Sequence, residues 1–337
     1  MRAIVITAHG GPEVLALQDR PDPVPGPFEL LVSVEASALN RADLLQRRGL
    51  YPAPPGAPAD IPGLELAGTV AAVGPHVTRF AVGDRVMAVV GGGAAATLAV
   101  VHEREALPIP AGLSATDAAA IPEAFLTAFD AAVLQGGLRS GQWLVVPAVA
   151  SGVGTAAVQI ARALGAHTVG SSRTAAKLAR AVELGLDVAV EGPPEALVDA
   201  ARAATRAAGK AGAAVVLDLV GGAATPALLK TLQPQGALIL VGLMAGARAQ
   251  LDLGRVLTRR LRVQGTVLRS RPIEQKIAAA QVFADQLLPL FRSPSPGAPP
   301  PLRPVVDRVL PLGQAAEAHG ILERNESAGK VVLDHTA

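Results

Sequence analysis

The stretch WLVVPAVASGVGTAAVQIARAL, residues 143–164, decides the fold. Its first six residues are an apolar run of strand length with no polar face, as in a strand buried on both sides. A glycine turn, Ala150-Ser151-Gly152-Val153-Gly154, follows. Beyond it, apolar residues recur at helical spacing as far as Leu164. A buried strand that passes through a glycine turn into a helix opens a βαβ run, and the sequence downstream continues one. Strands are expected at 167–172, 188–191, 213–220, 237–243 and 261–268, with helices at 174–184, 194–208, 224–232 and 252–260 between them. This alternation implies a doubly wound α/β domain with a parallel sheet covered on both faces.

On either side of this block the pattern is different. The first 110 residues read as short strands at 1–7, 13–19, 28–37, 64–73, 84–90 and 96–107, separated by GGP, PDPVPGP and PAPPGAP turns. Residues 114–135 turn helical, with Pro122 marking a break. After residue 270 come a helix at 272–291, the Pro-rich RSPSPGAPPPLRP (292–304), a strand at 305–310, a helix at 313–323 and a strand at 329–333. These last pieces are too short to bury a core alone, so they are expected to return to the N-terminal β unit. The expected division is 1–121 with 269–337 as one discontinuous domain, and 122–268 as the α/β domain.

Composition narrows the chemistry. There are 337 residues and no cysteine, which excludes disulfides, thiolate metal sites and thiol nucleophiles. The pI of 9.3 rests on a net charge of only +2, because almost nothing titrates between His and Lys. No Lys/Arg run has the density of a nucleic-acid site. No stretch has the length of a membrane span, and MRAIVIT at the start is too short for a signal-peptide core, so a cytoplasmic location is expected. The six histidines (9, 76, 102, 167, 319 and 335) lack ligand spacing, and no metal is expected.

The glycine turn carries a cofactor argument. Glycines between a strand and a helix let the backbone approach a pyrophosphate, and the helix N-terminus offers it free N–H groups. Ser151, Gly152, Val153 and Gly154 are the candidates. The second strand then selects the dinucleotide. It ends in Ser172-Arg173, with Lys177 one turn on, and has no carboxylate to hold a ribose 2′-hydroxyl. Cations there favour a 2′-phosphate, hence NADPH.

Further strings are ASALNRADLLQRRGLYP (36–52), GLELAGTVAAVG (63–74), VGDRVMAVV (82–90), AAAIPEAFLTAF (118–129), SGVGTAAVQIAR (151–162), DLVGG (218–222), VGLMAG (241–246) and GKVVL (329–333). Together they resemble the zeta-crystallin-like quinone oxidoreductases of the medium-chain dehydrogenase/reductase superfamily, most of all the tumour-suppressor-inducible branch. The resemblance covers essentially the whole chain. It implies a GroES-like β domain with an inserted Rossmann domain, and hydride transfer from NADPH to a quinone held in the cleft between them. Zinc dehydrogenases of the superfamily have GHE where this chain has Gly63-Leu64-Glu65, so zinc is not expected and Glu65 is read as structural.

The resemblance also implies site residues. Asn40 is placed beside the nicotinamide, where its amide either bonds the acceptor oxygen or caps the helix at 41–47. Asp43 is read as bracing that helix. Tyr51, the only tyrosine, either donates to the acceptor or anchors its loop. Thr127 either reaches the cofactor or bonds the backbone. Gly221, Gly242, Met244, Leu268, Arg269 and Asn325 complete the expected cofactor contacts. Where the family often has a tyrosine after the third strand, this chain reads Val190-Glu191-Gly192, which weakens the expected hold on NADPH, and Glu191 opposes a 2′-phosphate; Thr97 stands where relatives often carry tyrosine and widens the substrate pocket. A homodimer is expected through the fifth and sixth strands of the parallel sheet. An activated-alkene reductase and a cofactor-binding protein with little turnover remain alternative readings.

Overall fold

The computed structural model describes residues 1–291 and 301–337; most of the Pro-rich segment 292–304 lies outside them. The chain forms two compact units. Among the described residues, one holds 1–126, 268–291 and 303–337, and the other holds 127–267 with 301 and 302.

The first unit is β-rich. Strands β1 (Arg2–Ile6) and β2 (Leu15–Asp19) form an antiparallel pair. Strand β3 (Glu29–Ala38) leads into helix α1 (Arg41–Arg47), followed by β4 (Glu65–Val73), β5 (Arg85–Val89), β6 (Leu98–His102) and β7 (Leu107–Pro108). The expected single strand at 96–107 is thus two. A turn interrupts it at Glu103, whose carboxylate accepts the Thr78 and Arg79 N–H groups at 2.8 Å. Helices α2 (Ala115–Ala119) and α3 (Pro122–Phe129) flank the break at Pro122. A π-helical turn, Asp130–Gln135, continues α3.

The second unit is a six-stranded, all-parallel sheet. Its elements in chain order are β8 (Trp143–Val146), α4 (Gly152–Ala163), β9 (His167–Ser172), α5 (Ala175–Glu183), β10 (Val188–Glu191), α6 (Leu197–Ala207), β11 (Ala213–Asp218), α7 (Ala224–Leu228), β12 (Leu232–Leu240), α8 (Leu253–Arg259) and β13 (Arg262–Gly265). The strand order β10-β9-β8-β11-β12-β13 reverses direction between β8 and β11. Ligands bind outside the carboxyl ends of the strands at such a switch point. Val145, Val169, Val216 and Leu238, all fully buried, form the centre of the core. Strand β12 begins five residues earlier than its apolar run suggests. Its register to β11 shifts between Ala213 and Val215, and this irregularity accommodates Pro234 and the positive φ of Gln235. Conversely, β13 stops at Gly265, short of the expected Leu268.

The remainder of the chain is α9 (Ile273–Gln286), β14 (Val306–Pro311), α10 (Ala315–Glu323) and β15 (Lys330–Asp334). The two strands extend the first unit's sheet in the order β14-β15-β3-β4-β5-β7, with β6 also pairing β3. No helix among the described residues is long and apolar enough to cross a membrane.

Candidate functional site

Sheet register assembles the polar centre of the β-rich unit. Strand β3 pairs β15 through Ala38↔Val332 and β4 through Ser37↔Leu66. The continuation of each ladder brings Lys330 and Glu65 to the end of β3, where Asn40 begins α1. Asn40 Nδ2 donates to Glu65 Oε1 at 2.9 Å and to the Ala38 carbonyl at 3.2 Å, while Asn40 Oδ1 accepts from Lys330 Nζ at 2.7 Å. Lys330 Nζ also donates to the Leu39 carbonyl and lies 2.5 Å from Glu65 Oε1. The Asn40 amide is therefore fixed on protein partners, with both Nδ2 hydrogens engaged. Asp43 braces the helix start. Its carboxylate accepts the Asn40 N–H at 2.8 Å and the Gly63 N–H at 2.9 Å. Burial pushes the Asp43 carboxyl up to about 6, against the pull of those two bonds and of Lys330 and Arg269.

Glu65, fully buried, holds a second helix as well. Its Oε2 accepts the Glu123 N–H at 2.8 Å in the first turn of α3, where amide groups lack helical partners. The Glu123 carboxyl is pushed up to about 7, first by burial and then by the nearby Glu65 charge. Its Oε2 is buried with no hydrogen-bond partner. Neither Glu123 nor Lys330 was singled out from the sequence. The available signal was a lone charge inside an apolar run, in AAAIPEAFLTAF and GKVVL.

Tyr51 belongs to the same unit. Burial raises its phenol, and the Arg269 guanidinium, 5.1 Å from the ring centroid, opposes that rise. Arg269 is almost fully buried and donates to the carbonyls of Gly91 (2.7 Å) and Tyr51 (3.2 Å) and to Gln46 Oε1 (2.5 Å). Leu268 is buried beside Val89, Leu107 and Leu126 around a small cavity. Asn325 has a φ of 58° and accepts from Arg41 through its side-chain oxygen. Thr97 Oγ1 accepts from the Arg2 N–H at 3.1 Å, which ties it to the first strand.

The second unit holds the other predicted residues. Ser151 caps α4, its Oγ accepting from the Gly154 N–H at 3.1 Å. The Thr155 N–H bonds the Ser151 carbonyl, which leaves the N–H groups of Gly152 and Val153 at the open end of the helix. A Cβ on Gly154 would stand 2.5 Å from the Val149 carbonyl oxygen, so only glycine lets the helix start this close to its strand. Ser172 ends β9, and Glu191 is its neighbour across the parallel ladder in β10. After β11, buried Asp218 accepts from the Val220 and Gly221 N–H groups and from Thr225 Oγ1. This fixes a turn in which Gly221, at φ 70°, packs on the turn after β12; a Cβ there would sit 2.8 Å from the Gly242 carbonyl oxygen. Met244, next along that turn, is 54% exposed. Thr127 Oγ1 is buried without a partner, so it does not make the backbone bond that was one reading of it. The structure thus groups Asn40, Tyr51, Leu268, Arg269 and Asn325 in one unit, and Thr127, Ser151 to Gly154, Ser172 to Lys177, Gly221, Gly242 and Met244 in the other.

A dinucleotide fits the second unit: two free amides at a glycine turn, an orphaned buried hydroxyl at Thr127 and a switch-point crevice. Zinc does not fit the polar centre of the first. There the carboxylate oxygens of Glu65 already serve an ammonium, an amide and a helix N-terminus, and no sulfur ligand exists. Among the described residues, no group of three or more His, Cys, Asp or Glu could hold a metal ion.

Comparison with known proteins follows the same division. Residues 26–111 match the alcohol dehydrogenase GroES-like domain, and residues 152–284 match the zinc-binding dehydrogenase model. The chain is 33% identical to a quinone oxidoreductase of Pseudomonas aeruginosa, across 98% of this chain and 99% of the relative. Among solved structures, it is similar to an NAD-dependent alcohol dehydrogenase (TM-score 0.80, 33% identity, 99% of each chain). It is also similar to the quinone oxidoreductase of Escherichia coli solved with NADPH (TM-score 0.82, 28% identity, 99% of this chain and 100% of that one).

Proposed function

The chain belongs to the quinone oxidoreductase family of the medium-chain dehydrogenases/reductases, and from that membership we propose that it is a zinc-independent NADPH:quinone oxidoreductase. The observation that carries the reading is the character of the polar centre around Asn40. It has no thiol, no group of three or more metal-ligating side chains is found among the described residues, and its one ammonium is held by Glu65. An acceptor that takes a hydride without a Lewis acid suits this set, and a quinone meets that requirement. Zinc independence follows from the same donor set.

NADPH is held by the second unit in this reading. The Gly152 and Val153 amides bind the pyrophosphate, Ser172, Arg173 and Lys177 receive the 2′-phosphate, and the Thr127 hydroxyl gains the partner it lacks. Gly221, Gly242 and Met244 flank the crevice beyond the strand ends. The reduced nicotinamide, when bound, supplies the hydride. The residues of the chain orient and stabilise. Asn40, with both Nδ2 hydrogens bonded to Glu65 and Ala38 and its oxygen to Lys330, holds the end of β3 in place and has no donor left for the acceptor oxygen, contrary to one expectation from the resemblance. The Tyr51 phenol donates to the acceptor oxygen on which charge develops. Leu268 and Asn325 are assigned to the walls of the site.

The working form is proposed to be a homodimer. Strand β13 is the sheet's last strand, all four of its residues are exposed, and Leu253 and Leu257 of the preceding helix are 72% and 77% exposed. An unpaired edge beside apolar side chains suits a second copy.

The test follows loss of nicotinamide absorbance with NADPH or NADH against an ortho-quinone and a simple enone. Fastest loss with NADPH and quinone is expected. Enone turnover without quinone turnover would assign the chain to alkene reduction, and tight NADPH binding with neither would leave a cofactor-binding protein.

A further inference from the structure

Residues 49–60 carry Tyr51 on a segment with no strand or helix of its own. Prolines at 52, 54, 55 and 58 remove four amide donors from it, so no continuous backbone ladder runs along it. Backbone bonds reach only its ends, through Gly49, Leu50 and the Asp60 carbonyl, and one internal turn at Ala57, and buried side chains from outside hold the rest. Gln46, 3% exposed in α1, donates from Nε2 to the Ala59 carbonyl at 3.1 Å. Arg269, 4% exposed, donates from Nη1 to the Tyr51 carbonyl and from Nε to the Gly91 carbonyl, and its Cζ lies over the Tyr51 ring, 5.1 Å from the centroid. Arg269 Nη2 closes the circuit on Gln46 Oε1. One continuous chain of bonds therefore runs from Gly91 through Arg269 and Gln46 to Ala59, and a branch reaches Tyr51. Both ends of the loop are tied to the same buried pair.

We propose that Arg269 is a positioning residue that, with Gln46, fastens the Tyr51 loop and presents the phenol in one place, and that it acts through this loop rather than by touching a bound nucleotide. The planar fork is what the task requires. It makes three directed bonds while its central carbon lies over a ring, which an ammonium on a flexible stem does not do. This deepens the proposed quinone reduction, because a fixed phenol matters to turnover only if Tyr51 meets the acceptor.

The chain has one tyrosine and no cysteine, so tetranitromethane at mildly alkaline pH reports on Tyr51 alone through nitrotyrosine absorbance. The parent should react slowly, since burial raises the phenol. In Arg269→Lys and Arg269→Met, release of the loop exposes the phenol. A fall of one pKa unit by itself raises the phenolate fraction about tenfold, and nitration accelerates accordingly. Gln46→Ala, which leaves Arg269 in place, should show the same acceleration and guards against a misfolded Arg269 variant. NADPH affinity, read by nicotinamide fluorescence, should stay at the parent value throughout. Unchanged nitration overturns the proposal. So does slower nitration, which would mean that only the cation was lost while the loop stayed. Weakened NADPH binding without faster nitration would make Arg269 a nucleotide contact. Nitration needs no quinone, so its result stands whether or not the chain reduces one.

Discussion

Lys330 Nζ lies 2.5 Å from Glu65 Oε1 inside the β-rich unit, with the two side chains 6% and 0% exposed. The pair is formed by strands from opposite ends of the chain that flank β3. A buried carboxylate needs a partner, and this one has three: the ammonium, the Asn40 amide and the Glu123 N–H. The ion pair thus links helix α1, helix α3 and the C-terminal strand through one side chain.

Removing the ammonium leaves Glu65 buried and uncompensated. Lys330→Met is expected to destabilise the chain by about 3–5 kcal/mol, the usual cost of breaking a buried pair from one side. The double variant Lys330→Met/Glu65→Gln should recover much of that loss, because the unpaired charge goes too. Urea unfolding of the parent, both single variants and the double variant measures the coupling. A loss below about 1 kcal/mol in Lys330→Met would show that the pair behaves like a surface bridge.

Glu123 predicts a stability change of the opposite kind near neutrality. Its carboxyl titrates at about 7 in the fold, against 4.5 for the free group, chiefly because it is buried and next because Glu65 is charged. Between those values the folded state binds the extra proton at Glu123, so the contribution of this group to stability falls as pH rises from about 4.5 to about 7. The change amounts to about 2 kcal/mol once the solvent reaching part of the residue is allowed for. Glu123→Gln mimics the protonated acid and should remove the Glu123 part of the decline, leaving that of Asp43 below about pH 6, and should end more stable than the parent above neutrality. Chemical denaturation of both proteins across that window decides it; parallel curves would show that Glu123 titrates as an ordinary carboxylate.

The parallel sheet was legible in the sequence because each strand is an apolar run bounded by turns. Strands β9 and β10 lie at the expected residues, 167–172 and 188–191. Where periodicity and turn chemistry compete, the reading slips. Gln233-Pro234-Gln235-Gly236 reads as a turn, yet the structure carries it as the irregular start of β12. The glycine turn at Ser151 to Gly154 could be read because its spacing is local. The Asn40–Glu65–Lys330 centre could not, because it exists only through strand register between distant segments, and a single sequence carries no local mark of that pairing. Arg269 illustrates the same limit. Its position was readable, but its bonds to Gln46, Tyr51 and Gly91 depend on how three separate loops pack.

Cofactor choice should follow the end of β9. If Ser172, Arg173 and Lys177 receive the 2′-phosphate, Arg173→Ala loses a charge-assisted contact. NADPH affinity should then weaken about tenfold while NADH affinity is unchanged. Glu191 stands across the ladder from Ser172, so Glu191→Gln should tighten NADPH and leave NADH alone. Fluorescence titration with both nucleotides is the measurement. Equal changes for NADPH and NADH in either variant would place the 2′-phosphate elsewhere.

Acid stability should be set in part by His335, two residues from the end of the chain. Its Nδ1 faces the Ala96 carbonyl at 3.1 Å and must carry the proton there, so its Nε2 accepts from Ser37 Oγ at 2.9 Å. Protonating Nε2 would reverse the second bond, with Ser37 Oγ accepting, and place a charge in the core, and burial holds the imidazole down at about 4, against 6.5 when free. The unfolded chain therefore binds the extra proton first, and stability is lost as pH falls from about 6.5 to about 4. Glu123 works against this loss over part of the window, since its own contribution improves as pH falls toward about 4.5. In a Glu123→Gln background the acid loss should therefore steepen, and adding His335→Gln should flatten it by about 2–3 kcal/mol across the window. Guanidinium unfolding at steps through that range distinguishes the cases. If His335→Gln lowers stability equally at every pH, the imidazole contributes a hydrogen bond and no titration.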